Sequence, residues 1–140
     1  MNTRRLIDIL AAGVITVAAL SGCNTTSEVE VDKARVSPEK VRDWLEKSPS
    51  KFLVVDARPQ AAFAEGHLPG AVRMDPGELD PQDPDPKFGA YKSVIVYGES
   101  PAYGRANALT KRFLEAGVSV LMLDGGFKAW RDRGYSIEQP

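Results

Sequence analysis

One thiol and one imidazole, Cys23 and His67, are the only side chains of their kind in this 140-residue chain. A lone cysteine closes no disulfide within the chain. One cysteine with one histidine also falls short of the roughly four ligands that a structural zinc takes. The carboxylates Asp75, Glu78, Asp80, Asp83 and Asp85 lack the spacing of an EF-hand calcium loop, and Pro76, Pro81 and Pro84 interrupt them. They read as a solvated acidic loop, so no metal or cofactor is expected. Ser100 is a candidate nucleophile only if a base stands beside it. The single histidine is placed elsewhere, in the turn Gly66-His67-Leu68-Pro69-Gly70-Ala71, and reads as structural. Arg105, near a helix start, is a candidate to hold an anion, against the plainer reading of a solvated surface arginine. The formal net charge of −1 shows no basic excess for nucleic acid. With 43% hydrophobic and 26% charged residues the composition is that of a globular chain.

Cys23 has an informative setting. Arg4 and Arg5 form a short basic start, and Leu6–Leu20 is mostly apolar apart from Asp8. That stretch is shorter than the ~20 residues a spanning helix needs, and its order is that of a secretory signal. It ends in Leu20-Ser21-Gly22-Cys23, which resembles the lipobox of bacterial lipoproteins. The resemblance implies cleavage before Cys23 and a lipid thioether on its sulfur. It gives a signal peptide over 1–22 and a lipidated tether over 23–36, with the membrane as a partner. An ordinary signal peptide with a chance cysteine and an uncleaved membrane helix are the alternatives. The implied location is the cell envelope, facing the periplasm or the exterior. Asn24 after the cysteine favours the outer membrane if the source has two membranes. The polar tether lacks helical periodicity, although the alternating stretch Glu28–Val36 could add an edge strand.

The elements that would position any chemistry lie in 37–140. Ser37-Pro38-Glu39 is a helix start with an N-cap, a proline in the first turn and an early acid. Val41, Trp44 and Leu45 come next at helical spacing, and Ser48-Pro49 stops the helix. Phe52–Val55 is a continuous apolar run, and Ser93–Tyr97 and Val118–Leu123, mostly apolar, read as two more buried parallel strands. Helices are expected over Gln60–Glu65, about Gly104–Ala116, and Phe127–Arg133, with a short strand at Ala71–Met74. The segment Asp75–Phe88, rich in proline and acids, reads as a surface loop. This β–α repeat predicts an α/β domain, a parallel sheet with helices on both faces.

Three stretches then carry a resemblance: Val54-Val55-Asp56-Ala57-Arg58, Phe63-x-x-Gly66-His67-Leu68-Pro69-Gly70-Ala71, and Leu123-x-Gly125-Gly126-Phe127-x-Ala129-Trp130. Their types and order resemble the framework of a rhodanese-like domain. By that likeness Asp56, Arg58, His67, Gly125, Gly126 and Trp130 are framework residues. Asp56 would receive backbone N–H groups or pair with Arg58, and Trp130 would anchor the last helix. Rhodaneses carry a nucleophilic cysteine directly after the second of the long strands, in a loop that cradles an anion. Here Gly98 stands at that position, followed by Glu99, Ser100, Gly104 and Arg105, and no cysteine occurs after Cys23. Glu99 is expected to repel an anion. The resemblance therefore implies a membrane-anchored rhodanese-like module without persulfide chemistry, binding an envelope protein or a small anion through the altered loop. The alternative is a sulfurtransferase-related or phosphatase-like enzyme using a group other than cysteine.

Overall fold

The computed structural model describes residues 28–140. Five parallel strands form one sheet in the order β1-β5-β4-β2-β3. They are β1 (Arg35–Val36), β2 (Phe52–Asp56), β3 (Val72–Arg73), β4 (Ser93–Tyr97) and β5 (Val120–Leu123). The two long central strands are the apolar runs of the sequence, buried on both sides as parallel strands must be.

Alternation along β4 divides the core. Val94 and Val96 join Leu109 and Phe113 of α4 (Gly104–Glu115) on one face. Ile95 and Tyr97 turn to the other face, against Val41 of α2 (Pro38–Lys47) and Phe127 and Trp130 of α5 (Gly126–Asp132). Ser37 caps α2 as expected: its hydroxyl accepts from the Lys40 N–H at 3.4 Å. Helix α3 (Gln60–Glu65) leads out of the β2 end toward the Gly66–Ala71 turn.

Two expectations are corrected. Glu28–Lys33 is a helix, α1, in place of the expected tether or strand, and the edge strand that the alternation suggests is confined to Arg35–Val36, which pairs with Met122–Leu123. The cause is packing: Val31 is buried in the α4-side core, and Ala34 and Val36 carbonyls accept from the Met122 and Asp124 N–H groups. The Asp75–Phe88 segment is more than a surface loop. It makes short 3₁₀ turns at Pro76–Glu78 and Pro86–Ala90, and it buries Leu79 and Phe88 in the core. The signal segment and Cys23 lie outside the described residues. Among the described residues no helix is long and apolar enough to cross a membrane.

Candidate functional site

In an open parallel sheet, ligands are met at the carboxyl ends of the strands. Here β2 and β4 are neighbours and end level, with Asp56 opposite Tyr97. Both side chains lie on the α5 face, so the pleat itself brings them together. The Tyr97 hydroxyl donates to Asp56 Oδ2 at 2.5 Å and accepts from the Leu68 N–H at 3.1 Å. Arg58 closes the constellation. Its backbone N–H donates to Asp56 Oδ1 at 2.8 Å, and its Nε and Nη2 donate to the same carboxylate at 2.7–3.1 Å. Nη2 also donates to the Gly66 carbonyl at 2.7 Å. The guanidinium lies 3.8 Å from the centre of the Phe127 ring.

Asp56 is fully buried and Arg58 nearly so. A buried carboxylate needs such pairing, because desolvation makes an isolated charge very costly. Burial opposes the charge on Arg58, but the hydrogen bonds and charge of Asp56, helped by Glu99, outweigh it and hold the guanidinium protonated above its ordinary range. Burial, then the charge of Asp56, pushes the Tyr97 phenol well above its ordinary value. The two alternatives for Asp56, backbone donors or Arg58, are both realised.

The loop after β4 is tied to the start of α5. The Gly98 and Glu99 carbonyls accept from the Phe127 and Lys128 N–H groups at 2.8 and 3.0 Å. This close approach needs Gly126, whose φ is +61°: a Cβ there would stand 2.6 Å from the Gly98 oxygen. Gly98 is buried, and the space where its side chain would project is already filled. A Cβ on Gly98 would lie 2.7 Å from Cβ and Cγ of Tyr103, with Cδ1 closer still. These are atoms near the Tyr103 backbone, so a rotation of the ring tip would not relieve the clash.

The other loop residues are spread over different tasks. Glu99 turns back to Arg58, accepting from Nη1 at 3.1 Å, so it pairs with a cation of the framework in addition to contributing negative charge. The Ser100 carbonyl accepts from the Tyr103 N–H, and no histidine stands near its hydroxyl, since His67 donates from Nδ1 to the Phe63 carbonyl at 3.0 Å and stacks on that ring. Gly104 opens α4. Arg105 stays at the surface, its side chain 42% exposed, but with fixed partners: its Nε donates to the Ala57 carbonyl at 3.1 Å, and it is ion-paired with Asp75. Asp75 in turn pairs with Arg73, whose Nε donates to the Arg58 carbonyl at 3.2 Å. Sequence spacing does not reveal Asp75 as the bridge or Tyr103 as the plug.

The remaining framework residues have structural partners. His67 forms an antiparallel bridge with Glu138. Trp130 is buried, and its indole N–H donates to the Ser136 carbonyl at 2.9 Å. Gly125 takes a left-handed conformation before α5, and a Cβ there would collide with Ala129. Among the described residues no group of three or more His, Cys, Asp or Glu side chains could hold a metal ion.

Comparison with known proteins agrees with this arrangement. The chain is 32% identical over 98 residues to the thiosulfate sulfurtransferase GlpE of Pseudomonas aeruginosa, covering 69% of this chain and 83% of that protein. Its fold is similar to a crystal structure of thiosulfate sulfurtransferase from Pseudomonas aeruginosa, with a TM-score of 0.62 and 26% identity. That match covers 75% of this chain and 19% of the larger one. A structure of a protein of unknown function from Rhodopseudomonas palustris matches with a TM-score of 0.64 at 26% identity, covering 81% of this chain and 96% of that one. The pattern of the rhodanese-like domain matches residues 37–133, and the chain belongs to that family.

Proposed function

We infer that this protein is a rhodanese-like binding module that does not carry sulfur on a cysteine. One observation supports the reading above the others: Gly98 stands where the family places its nucleophile, and Tyr103 fills the space its side chain would occupy. Sulfur transfer through a persulfide needs a thiolate at a site that lowers its pKa. Within 28–140 there is no thiol at all. The framework around Asp56, Arg58 and Tyr97 remains fully paired, so the fold is kept while the nucleophile is not. A sulfurtransferase-related activity, as carried by the similar Pseudomonas proteins, is the second reading, supported by the sequence likeness itself.

The test is thiosulfate-to-cyanide sulfur transfer by the full chain in detergent. A rate equal to the protein-free background is expected, and saturable turnover would overturn the reading.

The setting we propose is the cell envelope. The basic start, the apolar run and Leu20-Ser21-Gly22-Cys23 support cleavage before Cys23 and lipid attachment to its sulfur. Multiple acyl chains, at ~0.8 kcal/mol per buried methylene, would anchor the domain stably. The partner is then an envelope protein or a small anion met through the altered face. Fatty-acid labelling in a bacterial host should be lost in Cys23→Ser, and labelling that persists would refute the anchor.

A further inference from the structure

An open cavity of about 200 Å³ lies beside the Arg58 network. Ala62 and Glu65 of α3 form one wall and Phe127 and Arg131 of α5 another, with Glu99 and Ile137 at the mouth. Arg58 is at its base, its side chain only 3% exposed. Nε and Nη2 of that guanidinium are committed to Asp56 and the Gly66 carbonyl, both buried. Nη1 is directed differently: its partner is Glu99, whose side chain is 44% exposed. Asp56 cannot leave without unfolding the strand end, whereas Glu99 can swing into solvent. Arg131 lies across the cleft, its guanidinium 5.7 Å from the centre of the Phe127 ring. Among the described residues no carboxylate stands within ion-pair distance of it.

We propose that this cleft is a carboxylate-binding site, closed from within by Glu99. An incoming carboxylate takes the place of the Glu99 carboxylate on Arg58 Nη1, with Arg131 as the second cation. The exchange leaves the charge on Arg58 balanced as before. A dianion such as phosphate is disfavoured, because Glu65 and the buried Asp56 already put negative charge nearby. Ala62, Phe127 and Ile137 are apolar, so the carboxylate best suited is one on a short branched apolar stem. Such a group belongs equally to a free metabolite or to the C-terminus of a peptide ending in an aliphatic residue. The proposal rests on the binding-module reading and names the ligand class for that face.

The experiment is an NMR titration of the full chain in detergent, following Arg58 Nε–H and the Phe127 amide. The probes are isovalerate, a dipeptide ending in leucine with a free carboxylate, its amide, and inorganic phosphate. Saturable shifts with isovalerate or the free dipeptide, and none with the amide or phosphate, are expected. Isovalerate binding more tightly assigns the site to small metabolites, and the dipeptide binding more tightly assigns it to chain termini. Removing the internal competitor with Glu99→Gln should lower the apparent Kd about three- to tenfold, because the open form becomes the populated one. Arg131→Ala should raise it several-fold. Absence of saturable shifts, tighter binding of phosphate, or a Kd indifferent to both substitutions would overturn the proposal. Those failures leave the sulfur-transfer result untouched, and cyanide turnover would overturn the module reading without bearing on the cleft.

Discussion

The β2 and β4 strands run side by side and end level, yet the segments beyond their carboxyl ends are built in opposite ways. At the end of β2 and just past it, the residues Asp56, Ala57 and Arg58 are held by charge. Asp56 is saturated by Tyr97 and Arg58, and the Ala57 and Arg58 carbonyls accept from Arg105 and Arg73. Past β4, Gly98 and the loop to Tyr103 are held by shape, with backbone carbonyls docked on α5 and a tyrosine ring in the space of a missing side chain. The difference teaches that neighbouring strand ends of one sheet can be fixed by different forces, paired charge at one and close packing at the other. The buried ion pair cannot lose one member without leaving the other desolvated, whereas the space beside Gly98 is filled by the ring of Tyr103.

The largest effect should come from breaking the charged end. Arg58→Met leaves Asp56 buried and unpaired and should destabilise the fold by ~3–5 kcal/mol in urea unfolding. Tyr97→Phe removes a hydrogen bond to that charge and should cost about 1.5–3 kcal/mol at neutral pH. It also has a pH signature. The phenol ionises near 10.0 in the unfolded chain but only at higher pH in the folded protein. Above pH 10 the folded state therefore binds more protons, so stability falls as pH rises from about 10 upward. Tyr97→Phe should lack that increment of alkaline loss, measured by denaturant midpoints against pH.

The shape-held end should respond less, and with coupling. Gly98→Ala drives a methyl into Tyr103 and should cost ~1–3 kcal/mol. In a Tyr103→Ala background the same change should cost much less, a difference that a double-mutant cycle reads directly. Additive effects would mean that the ring yields freely. The smallest effect is expected at Asp75, a third exposed, between Arg73 and Arg105. Asp75→Asn should cost no more than about 1 kcal/mol, and less at high salt.

Much of the frame is legible in the sequence because its signals are local. The Ser37 cap, the apolar runs of β2, β4 and β5, and the i, i+2 spacing of Asp56 and Arg58 all appear where expected. Helix α1 is not legible, since Glu-Val-Glu-Val alternates like a strand and the helix instead gains a buried Val31 against the core. The exchange of roles between Gly98 and Tyr103 is half legible. A glycine closing a buried strand signals close approach of something, but nothing in the spacing says that a tyrosine five residues on will be what approaches. The role of Arg105 is hidden for the same reason: its partners Ala57 and Asp75 are distant in sequence and meet it only once β2 and α4 are packed.

The most direct measurement compares sulfur transfer from thiosulfate to cyanide by Gly98→Cys and by Gly98→Cys combined with Tyr103→Ala, each in the full chain. With the ring in place the single variant should remain at background, and removing the ring should raise turnover above it. Turnover by Gly98→Cys alone, equal to that of the double variant, would contradict the claim that Tyr103 closes the nucleophile's place.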